Sequence, residues 1–225
     1  MRLVVFGSTS SIGSAVAKRF GRAGGTTVFV GRREPEAVDL VGNEYVSLAD
    51  LRTSSLDAAF SSLEDIGEID VALFAMGRFI GNVFIDADDD DIAGAIQDNL
   101  TSTILIAKRA IAAMQGRPSA AIVILSSIAA ETAGPGLVVY GALKAAVSTF
   151  AKAVRQELGS NGPRIICFEP GLVDTAFARD HHSGAASTDS AMSASTLADL
   201  IFKIAWSEPN LCVDLVRPTS LGFWD

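Results

Sequence analysis

The stretch LVVFGSTSSIG, residues 3–13, joins a short apolar run to a segment rich in glycine and serine. The apolar run Leu3–Phe6 suits a strand buried on both faces, and the pattern over Ile12–Arg22 predicts a helix directly after it. Gly7 can adopt the backbone angles of a tight turn, and Gly13 lets the helix pack closely on the sheet. Free N–H groups at the helix start and the serine hydroxyls favour a bound phosphate. A turn that serves geometry alone has the same composition, so this motif does not settle function by itself.

Strands and helices alternate along the rest of the chain. Further strands are predicted over Thr26–Val30, Tyr45–Leu48, Val71–Phe74, Ala121–Leu125, Ile165–Phe168 and Cys212–Val216. Further helices are predicted over Ser54–Leu63, Ile92–Met114, Val138–Leu158 and Thr196–Ser207. This alternation predicts an α/β fold in a single domain over residues 1–225, with a doubly wound, mostly parallel sheet of seven strands. Only residues 34–44 separate the second and third strands, so we expect an abbreviated crossover there.

Composition excludes several classes of protein. Hydrophobic residues make up 49% and charged residues 20% of the 225 residues, which excludes a disordered chain. The net charge of −8 disfavours non-specific binding to nucleic acid or to an anionic membrane. Neither a signal-peptide core nor a membrane-spanning run is visible, so we expect a cytoplasmic protein. The acidic run over 86–91 is expected to open the helix predicted over 92–114.

Metal and disulfide chemistry is not expected. Cys167 and Cys212 both lie in apolar runs, and we expect both to be small buried residues in strands. Two cysteines are too few for a four-cysteine zinc site. His181 and His182 are adjacent, a spacing that suits neither a helical nor a strand-borne pair of metal ligands.

Three side chains suited to proton transfer follow the fifth predicted strand. Ser127 comes at its end, and Tyr140 and Lys144 are four residues apart, which places them on one face of a helix. A phenol with a pKa of ~10 is a poor acid–base catalyst near neutrality, but a neighbouring ammonium group would lower its pKa. The pair alone is typical of an aromatic ring packed against a lysine stem. When a serine at a strand end and a phosphate loop precede it in the sequence, the tyrosine–lysine pair indicates catalysis.

The second predicted strand ends in Gly31, Arg32 and Arg33, with the first acid only at Glu34. In dinucleotide sites an acid at this position binds the adenosine ribose, whereas arginine accommodates a 2′-phosphate. Two guanidinium groups can make charge-assisted hydrogen bonds to a dianionic phosphate. The alternative is an ordinary pair of solvated charges. Because Arg32 and Arg33 follow the glycine loop by one strand, they predict NADP(H) in preference to NAD(H).

Taken together, these motifs resemble the short-chain dehydrogenase/reductase family from residue 2 to about residue 175. GSTSSIG is similar to the family's glycine motif, QDNLTS to its helix asparagine, SSIAA and YGALKAA to its serine, tyrosine and lysine, and EPGLVDT to the segment after its sixth strand. The resemblance implies a Rossmann-like oxidoreductase in which Tyr140 is the general acid/base. Ser127 would orient the substrate oxygen, Lys144 would hold the ribose and tune Tyr140, and Asn99 would hold a water. Cofactor contacts are implied for Gly7, Ser8, Thr9, Ser10, Ser11, Ile12, Gly13, Arg32, Arg33, Asp50, Leu51, Ala75, Met76, Gly77, Tyr140, Lys144, Pro170, Gly171, Val173 and Thr175.

Several segments depart from the family pattern. The family's N-N-A-G reads Phe74-Ala75-Met76-Gly77 here, Ser11 replaces the middle glycine, and the substrate lid over about 174–194 is short. These departures motivate an alternative, a non-catalytic NADP(H)-binding sensor or scaffold protein that retains the fold. A redox-neutral epimerase or dehydratase is a third possibility.

The substrate and the assembly are the remaining expectations. Candidate pocket residues are Phe79, Val83, Ile128, Ala129, Gly134, Pro135, Leu137, Phe177 and His181. Most are apolar, which favours a small, uncharged carbonyl or alcohol. Arg78 and Arg179 are the nearby cations that could bind a carboxylate, and either could as easily be a surface charge. Small apolar residues cover more than one face of the helices over 92–114 and 138–158. The resemblance implies a homodimer or homotetramer formed through these helices.

Overall fold

Strands and helices alternate in the computed structural model, which describes residues 1–81, 83–132, 134–175, 178, 191–208 and 210–220. The strands are β1 (Arg2–Phe6), β2 (Thr26–Gly31), β3 (Glu44–Ser47), β4 (Val71–Phe74), β5 (Ala121–Leu125), β6 (Arg164–Phe168), β7 (Val173–Asp174), β8 (Met192–Ser193) and β9 (Leu215–Val216). The helices are α1 (Ser11–Arg22), α2 (Thr53–Ile66), α3 (Asp89–Ile96), α4 (Ser102–Ala113), α5 (Ala129–Thr132), α6 (Val138–Leu158) and α7 (Ala194–Ala205).

Seven strands form one sheet in the order β3-β2-β1-β4-β5-β6-β9, and every neighbouring pair is parallel. The predicted doubly wound seven-stranded sheet is therefore confirmed. The chain winds outward from β1 in both directions, first to β2 and β3 and then to β4, β5, β6 and β9. Open α/β sheets bind ligands at the carboxyl ends of the strands, where the strand order reverses. In this fold that point lies between β1 and β4.

Alternate residues of the central strands fill two separate cores. Val4 and Phe6 of β1 pack with buried residues of α2, α4 and α6 on one face of the sheet. Leu3 and Val5 pack with buried residues of α1 and α7 on the other face. Because successive strand side chains point to opposite faces, an uninterrupted apolar strand is required where both faces are covered. This requirement explains the continuous hydrophobic runs of the sequence.

The helix predicted over 92–114 begins earlier and is interrupted. Asp88 caps α3, and its Oδ1 accepts hydrogen bonds from the backbone N–H groups of Asp90 (2.9 Å) and Asp91 (3.2 Å). The acidic run therefore opens the helix, as expected. A π-turn over Gln97–Thr101 joins α3 to α4.

The short crossover expected between β2 and β3 is also confirmed, as a single 3₁₀ turn over Ala37–Asp39.

The prediction for the two cysteines is right for one and wrong for the other. Cys167 is buried in β6, but Cys212 is exposed and lies outside any strand. The edge strand β9 pairs with β6 only at Leu215 and Val216, so no neighbouring strand buries the residues before it. The Cys212 thiol instead accepts hydrogen bonds from Arg155 Nε (3.1 Å) and Nη2 (3.0 Å).

Among the helices in the described ranges, none is both long and apolar enough to cross a membrane.

Candidate functional site

A cleft of about 760 Å³ lies along the carboxyl ends of β1, β2, β4, β5 and β6. It is lined by every residue to which the sequence assigned catalysis or cofactor contact, with the exception of Gly13. Gly13 is buried beneath the loop, where a Cβ would lie 2.7 Å from Cγ1 of Val5. This glycine permits α1 to pack closely on β1, and its expected contact with the cofactor stays a prediction.

The glycine loop between β1 and α1 forms one wall of the cleft. Gly7 has a φ of +102°, and a Cβ there would lie 2.8 Å from the backbone carbonyl of Ala75. The hydroxyl of Ser10 caps α1 by accepting a hydrogen bond from the N–H of Gly13 (3.2 Å). The first N–H groups of α1 therefore face the cleft at the positive end of the helix dipole, beside Ser11 and Ile12.

Two serines, one in the glycine loop and one in the first turn of α1, donate their hydroxyl protons to other parts of the protein and are not free donors. The hydroxyl of Ser8 donates to the carbonyl of Arg33 (2.6 Å), and the hydroxyl of Ser14 donates to Oδ1 of Asp39 (2.8 Å). A Cβ at Gly31 would collide with the Ser8 side chain, so β2 must end in glycine here. Ser8 thus fixes the distance between the glycine loop and the end of β2.

Two guanidinium groups at the end of β2 border the cleft on opposite sides. Arg33 Nη2 donates to the hydroxyl of Thr9 in the glycine loop (3.4 Å), and Arg32 Nη2 lies 3.2 Å from Oδ1 of Asp98 in the π-turn. Asp50, at the end of β3, also lines this part of the cleft. Hydrogen bonds from the Ser55 side chain and the Arg52 backbone hold the pKa of Asp50 below its usual value.

Ser127, Tyr140 and Lys144 meet at the other end of the cleft. Ser127 follows β5, and its side chain lies beside Tyr140 on α6, close enough to lower the pKa of the phenol. One helical turn later, the ammonium of Lys144 lies 5.5 Å from the centre of the Tyr140 ring. Lys144 Nζ donates to the carbonyl of Leu125 (3.3 Å), the last residue of β5. A hydroxyl, a phenol and an ammonium therefore share one small site.

Burial dominates the acidity of the phenol and the ammonium. Removal from water raises the pKa of Tyr140 to about 12, although the hydrogen bond from Ser127 opposes this shift. The expected lowering of the Tyr140 pKa does not occur in the protein alone, because desolvation of the phenolate is the largest effect on it. Burial also lowers the pKa of Lys144 to about 8. Near neutral pH, Tyr140 is protonated and Lys144 is largely charged.

Asn99 lies in the π-turn, and its side chain is 2% exposed. Its Nδ2 donates to the carbonyls of Arg78 (2.8 Å) and Ala95 (2.9 Å), whereas its Oδ1 accepts no hydrogen bond from the part of the chain that the structure describes. A Cβ at Gly77 would lie 2.5 Å from this Oδ1 and 3.5 Å from Lys144 Nζ. A buried carbonyl oxygen without a donor leaves a position for a ligand or a water close to Lys144.

Two serines fix α6 on the sheet behind the site. The hydroxyl of Ser126 donates to the backbone carbonyl of Lys144 (2.8 Å), and the hydroxyl of Ser148 donates to Ser126 (2.8 Å). These contacts connect the strand that carries Ser127 directly to the helix that carries Tyr140 and Lys144. The positions of Ser127, Tyr140 and Lys144 are therefore set by these hydrogen bonds as well as by side-chain packing.

An ion pair that the sequence analysis missed supports the floor of the cleft. Glu169 is 1% exposed, and its Oε2 accepts from Nε (2.9 Å) and Nη2 (2.6 Å) of Arg217. Arg217 also lies 3.3 Å from Glu131 on α5. Glu169 precedes Pro170 and Gly171, which line the cleft, so the pair fixes this segment from below.

Apolar side chains surround the space beside Ser127 and Tyr140. Phe79 packs on the Tyr140 ring with centroids 5.0 Å apart. Of the predicted pocket residues, Phe79, Ile128, Ala129 and Leu137 line the cleft, and Thr132, Leu172 and Ala178 join them. Val83, Gly134 and Pro135 do not line the cleft; Val83 is 64% exposed.

Arg78, one of the two arginines predicted to meet a carboxylate, does not line this cleft. Arg78 turns away toward Asp91, donating to its carbonyl (2.6 Å) and its Oδ1 (3.2 Å). Phe177, Arg179 and His181 lie outside the described residues, as does most of the predicted lid. In the described ranges, no group of three or more His, Cys, Asp or Glu side chains is arranged to hold a metal.

Comparisons with known proteins agree with this architecture. An uncharacterized oxidoreductase of Staphylococcus epidermidis is 28% identical over 178 residues, which cover 76% of this chain and 77% of the relative. The crystal structure of serine dehydrogenase from Escherichia coli superposes with a TM-score of 0.85 at 20% identity, covering 98% of both chains. A closed form of serine dehydrogenase complexed with NADP⁺ gives a TM-score of 0.84 at 20% identity, covering 98% of this chain and 95% of that one. The short chain dehydrogenase family model matches residues 2–186, and the chain therefore belongs to the short-chain dehydrogenase family of oxidoreductases.

Proposed function

We propose that this protein uses NADP(H) to interconvert a small, uncharged and largely apolar carbonyl compound and its alcohol. The observation that carries the proposal is the meeting of Ser127, Tyr140 and Lys144 in the same cleft as the glycine loop. A cleft built for nucleotide binding alone has no need of a serine and a tyrosine hydroxyl beside a lysine. We therefore favour an enzyme over the alternative of a non-catalytic sensor or scaffold.

The residues of the cleft fit a dinucleotide along its whole length. The start of α1 offers N–H groups for a pyrophosphate, and Arg32 and Arg33 are placed for a 2′-phosphate. The charged carboxylate of Asp50 is suited to accept a hydrogen bond from an adenine amino group. At the opposite end, the unpaired Oδ1 of Asn99 can accept a hydrogen bond. The structure of serine dehydrogenase with NADP⁺ supports the choice of cofactor.

Each of the three site residues has a distinct task in the proposed reaction. The bound nicotinamide supplies or accepts the hydride. Tyr140 holds its proton at neutral pH, because its pKa is about 12, and can donate that proton to the oxygen of a carbonyl substrate. Ser127 orients that oxygen through its hydroxyl. Lys144, largely charged below its pKa of about 8, stabilises the phenolate that remains.

The apolar wall determines the class of substrate. Ile128 and Ala129 are 7% and 4% exposed, and they lie with Leu137 and Leu172 beside the catalytic hydroxyls. An apolar pocket with two hydroxyls favours an uncharged substrate, because a carboxylate would lose its hydration and, among the described residues that line the cleft beside the hydroxyls, would find only Lys144 as a cationic partner. Arg78 is engaged by Asp91 and does not change this conclusion.

Replacing Tyr140 with phenylalanine tests the proposed acid–base role. We expect turnover to fall by about 10²–10⁴-fold, since the proton donor is removed, while the dissociation constant for NADPH stays within about twofold. The assays are loss of NADPH absorbance over a panel of aldehydes and ketones, and NADPH fluorescence on binding. Parental turnover in the variant would contradict the role of Tyr140. Nucleotide binding without turnover by the parental protein would instead favour the sensor, and conversion without net redox change would favour an epimerase or dehydratase.

We also propose a homodimer formed through the helices that flank the cleft. Ile96 on α3, Ile104 on α4 and Val138 on α6 are 42%, 39% and 50% exposed, which leaves apolar surface on all three helices. Light scattering coupled to size-exclusion chromatography measures the assembly directly. A monomer at micromolar concentration would contradict this proposal.

A further inference from the structure

An ion pair crosses the cleft at the end where Arg32 and Arg33 lie. Arg32 Nη2 is 3.2 Å from Oδ1 of Asp98, and both residues line the cleft. Arg32 is on the strand side, directly after β2, and Asp98 is on the helix side, in the π-turn. The pair therefore connects the two walls between which a nucleotide has to enter.

The π-turn explains why an acid faces the cleft at this position. It places Gln97, Asp98 and Asn99 together along the cleft wall, with Ser102 one turn further on. A π-turn inserts one additional residue into a helix and often lies at a functional site. Asn99 points toward Gly77 and Lys144, whereas its neighbour Asp98 points toward Arg32.

Asp98 supplies a carboxylate near the end of β2, where many dinucleotide sites have an acid on the strand itself. Gly31 ends β2 without a side chain, and Ser8 occupies the space that a side chain would need there. Among the described residues that line the cleft, Asp50 and Asp98 are the two carboxylates, and Asp50 is held by Arg52 and Ser55. Asp98 is thus the carboxylate that acts on Arg32.

We propose that Asp98 competes with the nucleotide 2′-phosphate for Arg32 and thereby sets how strongly the cleft prefers NADP(H) over NAD(H). This inference rests on the proposed cofactor. The Arg32 side chain is 67% exposed and can turn from Asp98 to a phosphate, but to do so it has to break its ion pair with Asp98. The Asp98 side chain is only 23% exposed, so its charge stays beside the phosphate after Arg32 has turned.

Asp98 therefore acts in two ways against a 2′-phosphate. It holds a guanidinium group that the phosphate needs, and it repels the dianion from close range. A nucleotide with a free 2′-hydroxyl carries no charge at this position and is not repelled there. Neutralising Asp98 should consequently strengthen the binding of 2′-phosphorylated nucleotides selectively.

Calorimetric titration with two nucleotides tests the inference. Adenosine 2′,5′-bisphosphate and adenosine 5′-monophosphate differ only in the 2′-phosphate, so their affinity ratio isolates its contribution. We expect Asp98→Asn to raise affinity for the bisphosphate about five- to tenfold and to leave affinity for the monophosphate within about twofold. Asp91→Asn is the matched control, since it removes the same charge seven residues earlier, outside the cleft, and should change neither affinity.

A double variant separates the proposed mechanism from a general effect of charge. In Arg32→Gln the Asp98→Asn replacement should give a smaller gain, because Asp98 then has no guanidinium group to withhold and only its direct repulsion of the phosphate is relieved. A full gain in the Arg32→Gln background would overturn the inference, as would an unchanged or weakened affinity of the single Asp98→Asn variant for the bisphosphate. Far-ultraviolet circular dichroism of each variant verifies that the fold is intact.

The parental protein distinguishes the two proposals. If it binds neither nucleotide, the proposed cofactor is wrong and the inference about Asp98 fails with it. If it binds both with equal affinity and Asp98→Asn creates a preference for the bisphosphate, the role of Asp98 stands and the parental preference for NADP(H) is wrong. Equal affinities in both proteins would overturn both statements.

Discussion

Replacing Lys144 with methionine removes an ammonium group that the fold holds away from water. Burial lowers the pKa of Lys144 from 10.5 to about 8. At about 1.4 kcal/mol per pH unit, this difference destabilises the protein by about 3 kcal/mol at pH 7. Methionine has a similar length and no charge, but it forfeits the hydrogen bond to Leu125, which offsets about 1 kcal/mol. We expect the variant to be more stable by about 2 kcal/mol and to lose turnover.

The dependence of this gain on pH provides the sharper test. Below pH 8 the lysine is protonated in both the folded and the unfolded protein, so the full destabilisation is present. Between pH 8 and 10.5 the unfolded chain binds the proton more tightly than the folded protein, and parental stability rises with pH relative to the variant. The advantage of Lys144→Met should therefore be constant below pH 8, fall above it and vanish near about pH 10, and at pH 10.5 the variant should be slightly less stable because it still lacks the hydrogen bond to Leu125.

Urea unfolding of both proteins without nucleotide, at several pH values, measures this difference. The gain corresponds to a rise in Tm of about 4–8 °C for a domain of this size. Lys152→Met is the matched control, because it removes an exposed charge from the same helix and should change stability by less than about 0.5 kcal/mol. A destabilised Lys144→Met protein, or a gain independent of pH up to 10.5, would refute the assignment of a costly buried ammonium.

Three further replacements test other parts of the site. Gly77→Ala should abolish turnover and destabilise the protein by about 1–3 kcal/mol in urea unfolding, because Gly77 has a φ of +143° and a Cβ would collide with Asn99 Oδ1; a fully active variant would contradict the close approach. Glu169→Gln should cost about 1–2 kcal/mol in the same assay, since it weakens the hydrogen bonds of a buried carboxylate while Arg217 stays partly exposed and keeps Glu131, and a change below about 0.5 kcal/mol would show that the pair is unimportant. Cys212→Ser should leave stability within about 0.5 kcal/mol, because the thiol is exposed, and a larger loss would indicate burial of that thiol.

The sequence was sufficient to predict the sheet and the main site residues, since each depends on local information. Continuous apolar runs such as Leu3–Phe6 identify strands that are covered on both faces. A spacing of four residues places Tyr140 and Lys144 on one side of any α-helix, whatever surrounds it. Strand-end positions then bring Ser127 to the same edge of a parallel sheet.

Features that depend on the environment of a residue were not accessible from the sequence. The π-turn displaces the helical register, so the sequence spacing of an ordinary α-helix did not predict that Asp98 lies next to Arg32. The raised pKa of Tyr140 results from burial, which no local motif reports. An apolar run around Cys212 resembles a strand, yet β9 begins only at Leu215.

The ion pair of Glu169 and Arg217 has a consequence for biosynthesis. The two residues are 48 positions apart, so Glu169 leaves the ribosome before its partner has been translated. At about 5–20 residues per second, the interval lasts several seconds. During that interval a nascent chain has β6 but no cation to accompany its carboxylate into the interior. The floor of the cleft should therefore be among the last parts of the molecule to acquire its final packing, and chains stalled between the two residues should be recognised by proteases as incompletely folded.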